Sequence, residues 1–243
     1  MLLNDSCEFI YTQRHDSVER IGLSLAHNCA DQYLANMSQP QPDLSHLTDQ
    51  YDLTEEEFAK TLDAVMASHE RHDDLWVFGY GSLMWRPDFP HLERHFGIVH
   101  GFHRAFCVYS HVHRGTRERP GLVLGLDNGG SCKGVAYRVR AADAETVVDY
   151  LIRREMVTRV YTPRWVTVRI GNQTVRAHTY TAAHNHVQYA GKLSPDEAAR
   201  FIKNNAGRSG DNVEYLLNAV THLDELGIAD GPLHTLKDLV TTA

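Results

Sequence analysis

The 243-residue sequence has few cysteines, no excess of basic residues and no long hydrophobic run. No apolar run approaches the length of a membrane span and the polar N-terminus lacks the apolar core of a signal peptide, so we expect no membrane insertion. Acidic residues outnumber basic ones by 31 to 24, which argues against nucleic acid as a partner. The four cysteines are scattered without a C-x-x-C pair, which favours a reduced, cytoplasmic protein.

Histidine is abundant, with 16 copies, and two H-x-H pairs are the candidates for metal binding. His111 and His113 would share one face of a strand, as would His184 and His186. Neither pair has a third ligand at a recognisable spacing, so we expect no metal and no cofactor. No oligomeric state is predicted.

The order of predicted elements divides the chain into two parts. Residues 1–72 predict an N-terminal helical extension, in which Thr54 and Glu57 form a capping box at the start of a helix. Residues 73–243 predict the main domain, in which strands dominate the middle, helices follow, and one helix is inserted at 143–156. This order lacks the regular strand–helix alternation of a parallel sheet, so we expect an α+β fold, a small barrel with helices packed outside.

Turn and cap residues predict how the main domain is connected. Residues 127–130, Asp-Asn-Gly-Gly, are typical of a hairpin turn and would join a strand at 122–126 to its partner at 135–139. Gly171 and Asn172 predict a second hairpin. Asp143 is expected to cap the inserted helix.

An apolar strand that ends in a glycine turn is the first candidate site. The run from Leu75 to Phe78 predicts a buried strand, and it stops at Gly79-Tyr80-Gly81-Ser82. Glycine lets other atoms approach the backbone closely, and a turn of this kind presents N–H groups that suit an anion such as a carboxylate. The alternative is a plain tight turn without a ligand.

A carboxylate on an apolar helix face is the second candidate. Counting on from Val148 by three, four and seven positions gives two apolar residues and then Glu155. A core-facing carboxylate is costly unless it is paired or functional, and burial raises its pKa towards the range of a general base at neutral pH. The alternative is a glutamate at a helix end that turns to solvent or pairs with Arg154 or Arg159.

Three other chemistries have weaker support. The pair Gly79-x-Gly81 lacks the third glycine of a dinucleotide fingerprint, because Met84 occupies that position, and there is no G-x-x-x-x-G-K-[ST] phosphate loop. Residues 130–134 match G-x-C-x-G around Cys132. A nucleophile elbow lies between a strand and a helix, whereas a strand follows here, so we expect Cys132 to be an ordinary hairpin residue.

Taken together, the two sites resemble the ChaC-type γ-glutamylcyclotransferases, which are glutathione-specific. The resemblance covers about 76–236 and lies in motifs that agree in order and spacing: Val77-Phe78-Gly79-Tyr80-Gly81-Ser82-Leu83-Met84-Trp85, then 103–107, 119–122, 134–138, 154–158 with Tyr161, Pro163 and Trp165, and 210–216. Many family members have Glu-Lys-Gly-Gly-Tyr where this chain has Glu155-Met156-Val157-Thr158-Arg159.

The resemblance implies a small mixed β-barrel with flanking helices, and an enzyme, a lyase that cleaves glutathione into 5-oxoproline and Cys-Gly. It implies that the γ-glutamyl group is held by four turn residues, Tyr80, Gly81, Ser82 and Leu83, and that Glu155 is the acid/base. The substrate supplies its own amine as nucleophile. The alternative is a catalytically silent γ-glutamyl-binding module that regulates a cation transporter. Three tyrosines are further pocket candidates: Tyr109, Tyr189 and Tyr215.

Overall fold

A computed structural model describes residues 53–242, so most of the predicted N-terminal extension lies outside the described residues. The helices are α1 (Glu55–Met66), α2 (Ala144–Glu155), α3 (Pro195–Lys203), α4 (Asn212–Glu225) and α5 (Gly231–Thr241). The strands are β1 (Leu75–Gly79), β2 (Glu93–Ser110), β3 (Gly121–Val139), β4 (Tyr161–Ile170) and β5 (Gln173–Ala182), with a short hairpin of β6 (Ala206–Gly207) and β7 (Gly210–Asp211). None of the helices described is long and apolar enough to cross a membrane.

Five strands close into a barrel in the order β1-β3-β2-β4-β5. Neighbouring strands run antiparallel except where β5 closes the barrel beside β1, with Val77 opposite His178. One side of β1 and the buried face of α2, which carries Val148, Leu151 and Ile152, share the largest core cluster with α4 and α5. The predicted α+β class and mixed barrel with flanking helices are confirmed.

The predicted hairpin at 127–130 is wrong, because β3 is one continuous strand paired with β2 along most of its length. Gly129 and Gly130 have φ of 96° and 69°, but Gly101 on the paired part of β2 also has a positive φ of 85°. The register shifts between His100 and Phe102 at this point. Because both strands are irregular together, we conclude that the glycines bend the two-stranded ribbon instead of reversing it. The reversal occurs in the loop 111–120.

The other connections follow the local sequence signals more closely. Gly171, with φ of 57°, lies between β4 and β5 and confirms the second hairpin. The Thr54–Glu57 capping box opens α1 as predicted. Asp143 precedes α2 but makes no capping hydrogen bond with its side chain, because residues 141–143 already form a short 3₁₀ turn.

Candidate active site

The glycine turn at the end of β1 folds back onto the strand that precedes it. Residues 82–84 form a 3₁₀ turn directly after β1. A Cβ added at Gly79 would lie 2.9 Å from Leu83 Cβ, closer than carbon atoms approach each other in proteins. A Cβ at Gly81 would meet only Leu124, at 3.8 Å. Tight packing therefore requires glycine at position 79, whereas Gly81 borders open space.

A buried arginine holds this turn in place. Arg104 lies on β2 with its side chain 2% exposed, and its Nε donates a short hydrogen bond to the carbonyl oxygen of Tyr80. Its Nη1 donates to Asp230 Oδ2 at 2.6 Å, and its Nη2 to the carbonyl of Lys133 at 2.8 Å. The Tyr80 carbonyl and the Gly81 N–H belong to one planar trans peptide unit and point in opposite directions. Fixing the carbonyl therefore also fixes the direction of the Gly81 N–H.

Glu155 ends α2 next to the buried residues of its apolar face. Its side chain is 18% exposed, and burial raises the pKa of its carboxyl group, while the nearby Arg154 opposes that rise. Arg154 Nε lies 3.3 Å from Glu155 Oε1, whereas Arg159 pairs with Glu57. The pairing with Arg154, one of the alternatives that the sequence offers for Glu155, is therefore present. The carboxylate nevertheless points into the protein.

The acid and the turn border the same small cavity, of about 60 Å³. Its lining consists of Tyr80, Gly81, Ser82, Leu83, Leu124, Glu155, Tyr161, Tyr180 and Tyr215. All five residues singled out from the sequence are thus brought together, although Glu155 is more than 70 positions from the turn. A partly buried, inward-turned carboxylate across a small space from backbone N–H groups is an arrangement that can move a proton on a bound, polar ligand.

Three tyrosines complete the cavity, and one of them has an unused hydroxyl. Tyr161 donates to the carbonyl of Leu124 at 2.7 Å, and Tyr215 accepts from the Leu124 N–H at 3.5 Å. Tyr180 is 1% exposed, and its hydroxyl has no hydrogen-bond partner among residues 53–242. Burial, and after it the charge of Glu155, raise the pKa of Tyr180 well above its ordinary value, so the hydroxyl keeps its proton and remains a donor.

Of the three tyrosines proposed from the sequence as pocket residues, one lines this cavity. Tyr215 lines it, and Tyr109 lines an adjoining groove. Tyr189 donates to the buried carboxylate of Asp127 at 3.0 Å instead. Sequence analysis did not place Tyr161 or Tyr180, which lie on β4 and β5, in the pocket. Tyr161 stood only within a motif of the family resemblance, and Tyr180 had no signal beyond its place on a predicted strand.

A second arginine joins the helix end to the turn. Arg154 Nη2 donates to Ser82 Oγ at 3.1 Å, and Nη1 donates to the Tyr150 hydroxyl and to the carbonyl of Arg86, both at 2.8 Å. These bonds fix the end of α2 against the glycine turn. They set the separation between Glu155 and the backbone N–H groups across the cavity.

The alternative sites from the sequence lie elsewhere. Cys132 is 2% exposed on β3, is not part of the cavity lining, and burial raises the pKa of its thiol to about 11. It is therefore a protonated core residue within a strand. In the part of the chain from 53 to 242, no three histidine, cysteine, aspartate or glutamate side chains are grouped to hold a metal ion.

The sequence profile of ChaC-like proteins matches residues 75–243. The chain belongs to the ChaC-like protein family. This assignment confirms the resemblance, and the match begins with β1 and therefore includes the glycine turn, Arg104, Glu155 and Tyr180. It leaves the residues before 75 outside.

Relatives of the ChaC-like chain carry the names of enzymes. It is 35% identical over 182 residues to a glutathione-specific γ-glutamylcyclotransferase of Escherichia coli, an alignment that covers 74% of this chain and 79% of the relative. It is also 35% identical over 175 residues to the human glutathione-specific γ-glutamylcyclotransferase 1, covering 69% and 79% respectively. The crystal structure of a yeast γ-glutamyl cyclotransferase specific to glutathione superposes with a TM-score of 0.62 at 25% identity, covering 69% of this chain and 96% of the yeast chain.

Proposed function

We propose that this protein is a γ-glutamylcyclotransferase that cleaves glutathione into 5-oxoproline and Cys-Gly, with Glu155 as its acid/base. One observation carries the proposal. An inward-turned carboxylate with a raised pKa borders the same small cavity as the glycine turn, in a chain whose relatives are named for this activity. The cytoplasmic location expected from the cysteine content belongs to the same proposal.

The reaction needs a base, because the α-amine of a γ-glutamyl amide is an ammonium group at neutral pH. Glu155 takes one proton from that ammonium, and the freed amine attacks the γ-carbonyl carbon to form the C–N bond of a five-membered lactam. The bond from that carbon to the cysteinyl nitrogen then breaks as Glu155 returns its proton to the departing nitrogen. The ring nitrogen still carries one proton too many, and the Glu155 carboxylate takes it and passes it to the amine of Cys-Gly, which leaves as an ammonium group. One carboxyl group thus serves both steps, and the raised pKa of Glu155 favours its return to the neutral form between them.

The glycine turn and Tyr180 orient the folded substrate. Backbone N–H groups of the turn bind the α-carboxylate or the γ-carbonyl oxygen. The Tyr180 hydroxyl, which has no hydrogen-bond partner within the described part of the chain, donates a further hydrogen bond to one of these oxygens. Ring closure is intramolecular, so holding the glutamyl chain with its amine near its own carbonyl supplies a large part of the rate.

The silent-module alternative lacks support from the comparisons, because the relatives are named for an enzymatic activity and not for transporter regulation. A pure binding site also has no need of an acid with a raised pKa beside the cradle. The thiol alternative is disfavoured by the position of Cys132 within β3 and by its raised pKa.

The direct test is release of 5-oxoproline by the purified protein without added metal. We expect release from glutathione, and slower release from γ-Glu-Cys and γ-Glu-Ala, measured side by side. A folded protein that releases none from any of the three would contradict the enzymatic proposal and revive the binding module.

Tyr180→Phe separates a catalytic hydroxyl from a structural one. We expect kcat/KM for glutathione to fall by about tenfold or more, because the variant lacks one hydrogen-bond donor to a charged or developing oxygen. The melting temperature is expected to stay level or rise, because the change removes a buried hydroxyl that has no partner in the described structure.

Tyr189→Phe is the matched control for this experiment. Its hydroxyl binds the buried Asp127, so its removal is expected to lower the melting temperature. A Tyr180→Phe protein that loses stability and keeps its activity would show that the hydroxyl has a structural role only.

A further inference from the structure

Helix α1 precedes the part of the chain that the family profile matches, and it packs against α2, the helix that ends in Glu155. Its first turn contains three consecutive glutamates, Glu55, Glu56 and Glu57. Two of the three form ion pairs with arginines that lie on either side of Glu155 in the sequence. The first turn of α1 therefore contacts the segment around the proposed acid/base on both sides.

The contact before Glu155 is made by Arg153, in the last turn of α2. Its two Nη atoms donate to the two carboxylate oxygens of Glu55, each at 2.9 Å, and its Nε donates to Asp149 at 3.1 Å. The guanidinium also lies 4.9 Å from the ring centre of Phe58. A bidentate pair fixes direction as well as distance, so α1 holds the end of α2 in one orientation.

The contact after Glu155 is made by Arg159, in the loop between α2 and β4. Its Nη2 donates to Glu57 Oε1 at 2.6 Å. Arg159 has φ of 60°, a conformation that residues other than glycine seldom adopt and that persists where the surroundings impose it. The loop leads directly into Tyr161, which lines the cavity. The pair with Glu57 thus holds the loop in a specific conformation between the acid and the cavity wall.

These ion pairs are too exposed to contribute much to the stability of the fold. The exposed fraction of the four side chains lies between 36% and 79%, and exposed pairs contribute little to stability. The apolar contact lies beneath them, where Met156, the residue after Glu155, shares a core cluster with Val65 of α1. The main consequence of the pairs is therefore the orientation of the segment that contains Glu155.

We propose that α1 positions the acid/base: the pairs Arg153–Glu55 and Arg159–Glu57 hold the end of α2 and the following loop so that the Glu155 carboxylate points into the cavity instead of into solvent. The inference rests on the proposed function and goes beyond it, because it assigns a role in catalysis to a helix outside the matched part of the chain. It makes both arginines positioning residues.

The test uses Glu55→Ala and Arg159→Ala, singly and together. Each change breaks one pair and leaves the Thr54–Glu57 capping box of α1 in place. We expect kcat for 5-oxoproline release from glutathione to fall by about tenfold in each single variant and by up to about 10²-fold in the double variant, because a displaced acid/base loses its alignment with the reacting atoms. KM is expected to change little, since the glycine turn is unaltered.

The pH profile distinguishes positioning from a merely structural role. A carboxylate that turns to solvent loses the burial that raises the pKa of Glu155. In the double variant the acidic limb of kcat/KM is therefore expected to move to lower pH than in wild-type protein. The charged and titratable groups that face Glu155 are unchanged in these variants: Arg154, Tyr80, Tyr161, Tyr180 and Tyr215.

Glu56→Ala is the matched control, because Glu56 lies in the same turn of α1 but pairs with Lys60 of its own helix at 2.7 Å. We expect it to keep the wild-type kcat and pH profile. Arg159→Lys is expected to keep most of the activity, because the positive charge opposite Glu57 remains. If the double variant does not fold, the two single variants provide the same measurements.

A wild-type kcat in the variants without the pairs, or a lower kcat with an unmoved acidic limb, would overturn the inference and leave the proposed function intact. An equal loss in Glu56→Ala would also overturn it, because the effect would then not depend on the pairs with α2 and the loop. Absence of 5-oxoproline with wild-type protein would overturn the proposed function and this inference together.

Discussion

Glu155→Gln is expected to lower kcat for 5-oxoproline release from glutathione by about 10²–10⁴-fold, the usual contribution of a positioned acid/base. Glutamine has nearly the same shape and fills the same space, but it cannot take the proton from the substrate ammonium. The fold is expected to persist by circular dichroism, because the change removes a carboxylate that is costly to keep charged in its buried position.

Glu145→Gln provides the control, since Glu145 lies in the first turn of the same helix and is exposed. We expect it to retain wild-type activity. A folded Glu155→Gln protein with the wild-type rate would contradict the assignment of Glu155 as the acid/base.

The pH dependence of wild-type protein and of Glu155→Gln gives a further test, in which the direction of the change is defined. The carboxylate form of Glu155 is the base in the free enzyme, and burial raises its pKa above the ordinary 4.5. The acidic limb of kcat/KM is therefore expected above the pH range of an exposed glutamate and to disappear in the residual rate of Glu155→Gln. The free energy of unfolding also depends on pH. Because the pKa of Glu155 is raised in the folded protein, its contribution to that free energy is fully present below about pH 4.5 and is lost as the pH rises through the pKa of the folded state. Lowering the pH should thus favour wild-type protein over the glutamine variant.

Asp230→Ala is expected to lower the free energy of unfolding by about 3–5 kcal/mol, because it leaves the guanidinium of Arg104 buried without its carboxylate partner. The pair is enclosed, with Arg104 2% and Asp230 13% exposed. Asp230 also caps α5 through the N–H of Leu233, so its removal exposes that helix end as well. Chemical denaturation with the two-state test measures the change.

Asp224→Ala is the matched control, because Asp224 also forms an ion pair, with His234, but is 51% exposed. Exposed pairs contribute about 0–1 kcal/mol, so a small loss is expected there. Equal losses in the two variants would show that burial of the Arg104 pair adds nothing.

The double variant Arg104→Met with Asp230→Leu separates stability from positioning. Apolar residues of similar volume often replace a buried ion pair without loss, so part of the stability is expected to return, while the loss of the α5 cap remains. Activity is not expected to return, because the Tyr80 carbonyl has lost its donor and the direction of the Gly81 N–H is no longer fixed. Full recovery of kcat would show that Arg104 does not position the turn.

Local patterns in the sequence were sufficient for the elements that depend on neighbouring residues. The apolar run before Gly79, the Thr54–Glu57 capping box and the position of Glu155 at the end of an apolar helix stripe are all properties of a few consecutive residues. The α+β class follows from the order of such elements, and the family resemblance from motifs in the same order. The same local reasoning failed at 127–130, because glycines that bend a ribbon and glycines that reverse it look alike without the partner strand.

Only the tertiary structure decided what surrounds the candidate acid. Arg104 meets Asp230 across 126 residues, and Tyr180 meets Glu155 because β5 closes the barrel beside β1. These contacts depend on strand register and barrel closure, which no short segment encodes by itself. The sequence by itself determined that a glycine turn and a misplaced carboxylate exist. Folding determined that they border one cavity, together with a tyrosine hydroxyl that has no hydrogen-bond partner among residues 53–242.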